Sequence, residues 1–115
     1  MISLAGINHL DQILKIEQSC FKRPWSQFHF KNDIFAKNSK NWVYLIDNMV
    51  VGYLFGWCVL DEYHINNLAI SKSYRNNKLA TELLIEMKLY LKKIKVKSVF
   101  LEVSSSNLSA IKLYE

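Results

Sequence analysis

In 115 residues this chain has one proline, three glycines and two cysteines, and each shortage excludes something. So little proline and glycine rules out a collagen-like or low-complexity chain. Cys20 and Cys58 are too few and too far apart for a disulfide framework. No run approaches the roughly 18 apolar residues of a membrane-spanning helix. The start MISLAGINHL lacks the basic region and apolar core of a secretory signal. His9, His29 and His64 show no metal-ligand spacing, and no Cys/His pair suggests a zinc site. These absences lead us to expect a soluble chain of a reducing compartment, most simply the cytoplasm, with no metal.

What is present fits one compact domain, residues 1–115. Half of the chain is apolar, 13% is aromatic and 22% is charged, with a net charge of +5. Only Arg23 and Arg75 among the fifteen basic residues are arginine. The Lys, Asn and Ile excess reads in part as the bias of an adenine- and thymine-rich genome. Neither nucleic acid nor membrane is implied as a partner. The stretch Lys88, Lys92, Lys93, Lys95 and Lys97 reads as a solvated helix end, since lysine favours the C-terminal dipole; a patch facing ribosomal RNA is the sharper alternative.

Periodicity sets the order of elements. Ile2–Leu4 forms a short strand. Asn8 caps a helix with Leu10, Ile13, Leu14 and Glu17 on one face, and Pro24 breaks the segment after it. Ser26 caps a second helix through about Lys37, with Phe30, Ile34 and Phe35 inward. Residues 41–46 and 50–60 are β-branched and aromatic strands, and Asp47-Asn48 between them suits a tight hairpin. A third strand covers residues 62–70. Its apolar positions switch parity, from odd at Ile65 to even at Leu68 and Ile70, which is the signature of a β-bulge. A polar turn at 74–78 opens a helix over 78–93, with Leu79, Leu83, Met87, Leu91 and Ile94 on one face. Residues 96–103 form the next strand, and Asn107 caps a last helix. The strand–helix–strand unit from Glu62 to Val103 reads as a crossover joining parallel strands. Cys58, Trp42 and Trp57 read as packing residues, and Trp25 as packing or as the lining of a substrate groove. The class is α+β, an α/β three-layer arrangement with a mixed central sheet and flanking helices.

A turn that opens a helix offers unpaired amides and the positive end of the dipole, which suits a phosphate or pyrophosphate. Here that turn is Arg75-Asn76-Asn77-Lys78-Leu79-Ala80-Thr81. An ordinary solvated helix start is the bland alternative. Glu102 sits in the apolar run Val99-Phe100-Leu101-Glu102-Val103, where a carboxylate is costly unless its face is wet or it has a task.

Several blocks together resemble one family. L-A-I closes the bulged strand at 68–70, Y-R-x-x-x-L-A follows at 74–80, F-L-E-V-x-x-x-N lies at 100–107 and A-I-x-L-Y-E at 110–115. P-W-S at 24–26 and L-D-E at 60–62 add to them. Their order is similar to that of the GNAT N-acetyltransferases, and most similar to members that acetylate the N-terminal alanine of a small-subunit ribosomal protein. The resemblance runs from about Asp11 to the last residue.

It implies the GNAT fold and acetyl-CoA as co-substrate. The pantetheine arm would bond to the main chain of Leu68, Ala69 and Ile70. The pyrophosphate would lie on the amides of Asn76, Asn77, Lys78, Leu79, Ala80 and Thr81. Asn107 matches a cofactor-contacting position, Glu102 the general base and Tyr114 the general acid. The implied partner is a ribosomal protein N-terminus. A non-catalytic module of the same fold, or an acetyltransferase for another amine, stays open.

Two departures stand out. Lys78 occupies a position where the family has glycine, which permits close phosphate approach and positive φ. The chain also ends at Glu115, where family members continue with a loop and usually two strands. On that reading the fold is truncated after the last helix, leaving the 96–103 edge open to self-association.

Overall fold

The computed structural model describes residues 1–101 of the chain. Glu102, Asn107 and Tyr114 lie outside them, as does the expected last helix. The described elements are β1 (Ile2–Leu4), α1 (Leu10–Cys20), α2 (Gln27–Phe35), β2 (Ser39–Ile46), β3 (Met49–Val59), β4 (Glu62–Ile70), α3 (Leu79–Lys93) and β5 (Ser98–Leu101). The sheet runs β1-β2-β3-β4-β5, antiparallel until β4, which pairs with β5 in parallel. The crossover through α3 is why those two strands share a direction.

Local chemistry accounts for most boundaries. Asp47 and Asn48 turn the β2–β3 hairpin with φ of 52° and 65°, a geometry that both residue types tolerate. Ser26 caps α2, its hydroxyl accepting from the His29 amide at 3.1 Å. The helix stops at Phe35, two residues before Lys37, because Ala36 is already extended toward β2. Phe35 is consequently 64% exposed rather than inward. Asn8 is not a cap: it lies inside a 3₁₀ turn, Ile7–His9, whose leading Gly6 amide bonds His9 Nδ1 at 3.0 Å. β3 ends at Val59, and Leu60 turns back toward β4 with φ 55° and almost full exposure.

Two layers of helix cover the sheet. On one face α3 packs Leu79, Ala80, Leu83, Leu84, Met87 and Leu91 against Trp42, Val51, Leu54, Tyr63, Ile65, Leu68 and Ile70. On the other, α1 and α2 bring Leu10, Ile13, Ile16 and Phe30 against Val43, Val50, Tyr53, Phe55 and Ala69. Each buried Leu or Ile contributes about 1.5–3 kcal/mol of transfer free energy.

The bulge read from the parity switch is present. Phe55 pairs with Asn67 and Gly56 with Ile65, so Asn66 is the extra residue of β4. It lets Tyr63, Ile65, Leu68 and Ile70 all face α3, while Asn67 and Ala69 face α1. At the same step the Gly56 amide is taken by the side chain of buried Asn41, at 3.1 Å, rather than left unpaired. A second shift leaves Val51 extra between Tyr44 and Leu45.

Candidate active site

Three features meet around the second half of β4. The first is the strand end. Leu68, Ala69 and Ile70 are each less than 10% exposed, and the β4–β5 register runs from Glu62↔Ser98 to Ile65↔Leu101. Arg75 ties the following loop back onto this end: its Nε donates to the Ile70 carbonyl at 3.2 Å, and its guanidinium reaches Cys20 Sγ at 3.3 Å.

The second feature is the loop into α3. Asn76 and Lys78 take the left-handed conformation, with φ of 68° and 62°. Lys78 is the residue at the start of α3, and no side chain caps that helix. Among the described residues, no protein acceptor engages the main-chain amides of 76–81. Leu79 and Ala80 are buried in the α3-side core, which holds the helix start in place, while Asn76, Asn77 and Lys78 stay exposed. A row of free amides at the positive end of a 15-residue helix is built for an anion. The left-handed Lys78 explains the glycine expected there: the position needs positive φ, which costs a side-chain-bearing residue about 1–2 kcal/mol.

The third feature is a cleft of about 350 Å³ on the α1–α2 face, with the bulge residue Asn66 on one wall and His29 and Asp33 on the other. His29 Nε2 stands 3.7 Å from Asp33 Oδ2, and burial raises the Asp33 carboxyl against the opposing pull of His29. Trp25 stacks on His29 with ring centres 3.7 Å apart and edges onto Phe55. Trp57 lines the same cleft, 42% exposed, and packs edge-on against His64. Beyond it His64 stacks on Phe100 at 5.0 Å and contacts Glu62 Oε1 at 3.1 Å.

The α1–α2 face also holds a buried polar cluster. Glu17 is 2% exposed. Its Oε1 accepts from the Tyr53 hydroxyl at 2.6 Å and the Asn67 amide at 2.8 Å, and its Oε2 from the Trp25 main-chain N–H at 2.9 Å. Burial first, then the neighbouring Glu17 carboxylate, keep the Tyr53 hydroxyl protonated far above the ordinary phenol range. The helical pattern set Glu17 on one face with Leu10, Ile13 and Leu14 but carried no sign of its partners, which come from two strands and a loop. Among the described residues no group of three or more His, Cys, Asp or Glu is placed to hold a metal, and no helix is long and apolar enough to cross a membrane.

The profile of the family described as the acetyltransferase (GNAT) family matches residues 10–115. The chain belongs to the GNAT family. It is 31% identical over 114 residues to a ribosomal protein bS18-alanine N-acetyltransferase of Escherichia coli, covering 99% of this chain and 76% of that protein. Its fold matches the crystal structure of the Escherichia coli ribosomal-protein-alanine N-acetyltransferase with a TM-score of 0.89 at 29% identity, over 99% of this chain and 73% of that one. It also matches the PaiA N-acetyltransferase of Thermoplasma acidophilum, solved with coenzyme A, with a TM-score of 0.88 at 16% identity, covering 99% and 85%. The five-stranded mixed sheet with helices on both faces is thus the GNAT fold, and the chain is a GNAT N-acetyltransferase.

Proposed function

We propose that this GNAT enzyme moves an acetyl group from acetyl-CoA to the α-amine of a protein N-terminus, its acceptor being the N-terminal alanine of a small-subunit ribosomal protein, as in RimI-type enzymes. The observation that carries the reading is the run of unengaged amides at 76–81, set directly after a bulged strand. The named activity of the Escherichia coli relative supports the choice of acceptor.

On this reading the pyrophosphate lies on the amides of Asn76, Asn77, Lys78, Leu79, Ala80 and Thr81, with the exposed Lys78 ammonium adding charge. The main chain of Leu68, Ala69 and Ile70 takes the pantetheine arm. The carbonyl of Ile70 already accepts from Arg75, so its contribution falls to the amide. Asn107 completes the cofactor contacts. A protein α-amine titrates at about 7.7–8.0, so at neutral pH much of it is protonated and cannot attack. Glu102, directly or through water, removes that proton. The free amine adds to the thioester carbon, the C–N bond forms, the C–S bond breaks, Tyr114 gives its proton to the departing thiolate, and the proton shed by the new amide nitrogen passes through water to the tyrosinate.

Calorimetry with acetyl-CoA, followed by mass spectrometry on peptides differing in the first residue, tests this. Binding heat and acetylation of alanine-started peptides are expected, with Glu102→Gln lowering turnover by about 10²-fold at nearly unchanged acetyl-CoA affinity. No heat at saturating acetyl-CoA rejects the enzyme reading, and acetylation confined to lysine side chains rejects the acceptor.

A further inference from the structure

We propose that the cleft beside the bulge receives the acceptor amine and that Glu17, whose carboxylate bonds to a neighbour of each wall, is its positioning residue; this rests on the acetyltransferase reading above. A buried carboxylate is expensive, and an apolar side chain of similar volume would fill the space at lower cost. Among the described residues no cation pairs with Glu17; its partners are three hydrogen-bond donors from three separate segments. Those donors lead to the cleft. The Trp25 amide belongs to the α1–α2 loop, and the Trp25 indole stacks on His29, which lines one wall. Asn67 follows Asn66, which lines the other. Tyr53 on β3 fixes the carboxylate itself.

The loop between the helices contributes little else to hold it: of its residues 21–26, only Phe21 and Trp25 pack against the core. Without the bond to Glu17, the Trp25–His29 pair loses its main-chain anchor against the bulged strand. The cofactor side is held by contacts that do not include Glu17, Leu68 by full burial, the 76–81 loop by Leu79 and Ala80, and Arg75 by the Ile70 carbonyl and Cys20. Glu17 should therefore act on acceptor binding and leave acetyl-CoA binding alone.

Glu17→Gln separates these effects. Its remaining oxygen keeps the bonds from Tyr53 and Asn67, while its amide faces the Trp25 N–H donor to donor. On the full chain, steady-state kinetics with an alanine-started peptide should show KM raised about tenfold, kcat within about twofold, and acetyl-CoA affinity by calorimetry unchanged. Met87→Ala on the α3 face, which also lowers stability, should leave peptide KM unchanged. If Glu17→Gln fails to fold, Asn67→Ala, which frees the bulge wall alone, should give the same rise in KM. A peptide KM within twofold of the parent, or an equal rise in Met87→Ala, or a parallel loss of acetyl-CoA affinity, overturns the proposal. A parent chain that neither binds acetyl-CoA nor acetylates peptide rejects the enzyme reading, and this inference with it.

Discussion

On its α3 side the sheet meets an almost wholly apolar layer, where Leu54, Ile65, Leu83 and Met87 are all at 1% exposure or less. On its α1–α2 side the sheet's own Tyr53 phenol and Asn67 amide both donate to the Glu17 carboxylate among Ile13, Phe30 and Phe55. Both sides exclude water, but by different physics. Apolar contacts are non-directional and tolerate sliding, so the α3 layer supplies cohesion. Hydrogen bonds to a buried charge demand particular distances and angles, so the α1–α2 layer supplies position. The cleft lies against the second layer and the amide loop springs from the first.

Substitutions can break that division. The largest effect is expected from Met87→Ala, which removes a fully buried side chain from the α3 layer and should cost about 2–5 kcal/mol in urea unfolding. A cost under about 1 kcal/mol would mean that this layer repacks freely and is not the source of cohesion. A smaller effect of opposite sign is expected at the end of the same layer. Lys78→Gly relieves the left-handed strain but adds unfolded-chain entropy, for a net gain of about 0.5–1 kcal/mol. It should also tighten acetyl-CoA binding by opening the approach to the amides; weaker binding in calorimetry would show that the ammonium matters more than the space.

The smallest effect belongs to the α1 entrance and is read by pH. Burial lowers the His9 pKa below its ordinary 6.5, and the neutral ring accepts from the Gly6 amide. The unfolded chain therefore takes up the proton first, so stability present above pH 6.5 falls as pH drops below it, levelling once the folded form is protonated too. Thermal unfolding between pH 7.5 and 5.5 should show this slope, and His9→Gln should flatten part of it. An identical slope in the variant would assign the pH dependence to other groups.

Much of this plan was legible in the residues because it depends on local signals. Asp47-Asn48, Ser26 and the parity switch after Ile65 each state a backbone geometry within a few positions, and all three appear where expected. β4 matches residue for residue. The misses share a different cause. Leu60 turns the chain at positive φ with no turn-forming chemistry of its own, because β3 and β4 pair on either side of it. Asn8 yields to a Gly6–His9 contact that only the folded turn creates. Of the site, the anion loop could be read from its place before a helix. The Glu17 cluster could not, since its partners lie 8, 36 and 50 residues away in the chain. The assignments of Glu102, Asn107 and Tyr114 rest on motif likeness, as these positions lie outside the described residues.

The surplus residue of β4 gives the molecule an unusual seam. Excising the codon for Asn66 would leave every neighbour pointing where it does now: Tyr63, Ile65, Leu68 and Ile70 toward α3, Asn67 and Ala69 toward Glu17. Only the kink would vanish, and with it one wall of the cleft. A chain shortened by that single triplet would keep its hydrophobic wiring and forfeit its workplace, parting the foldable object from the useful one by three nucleotides.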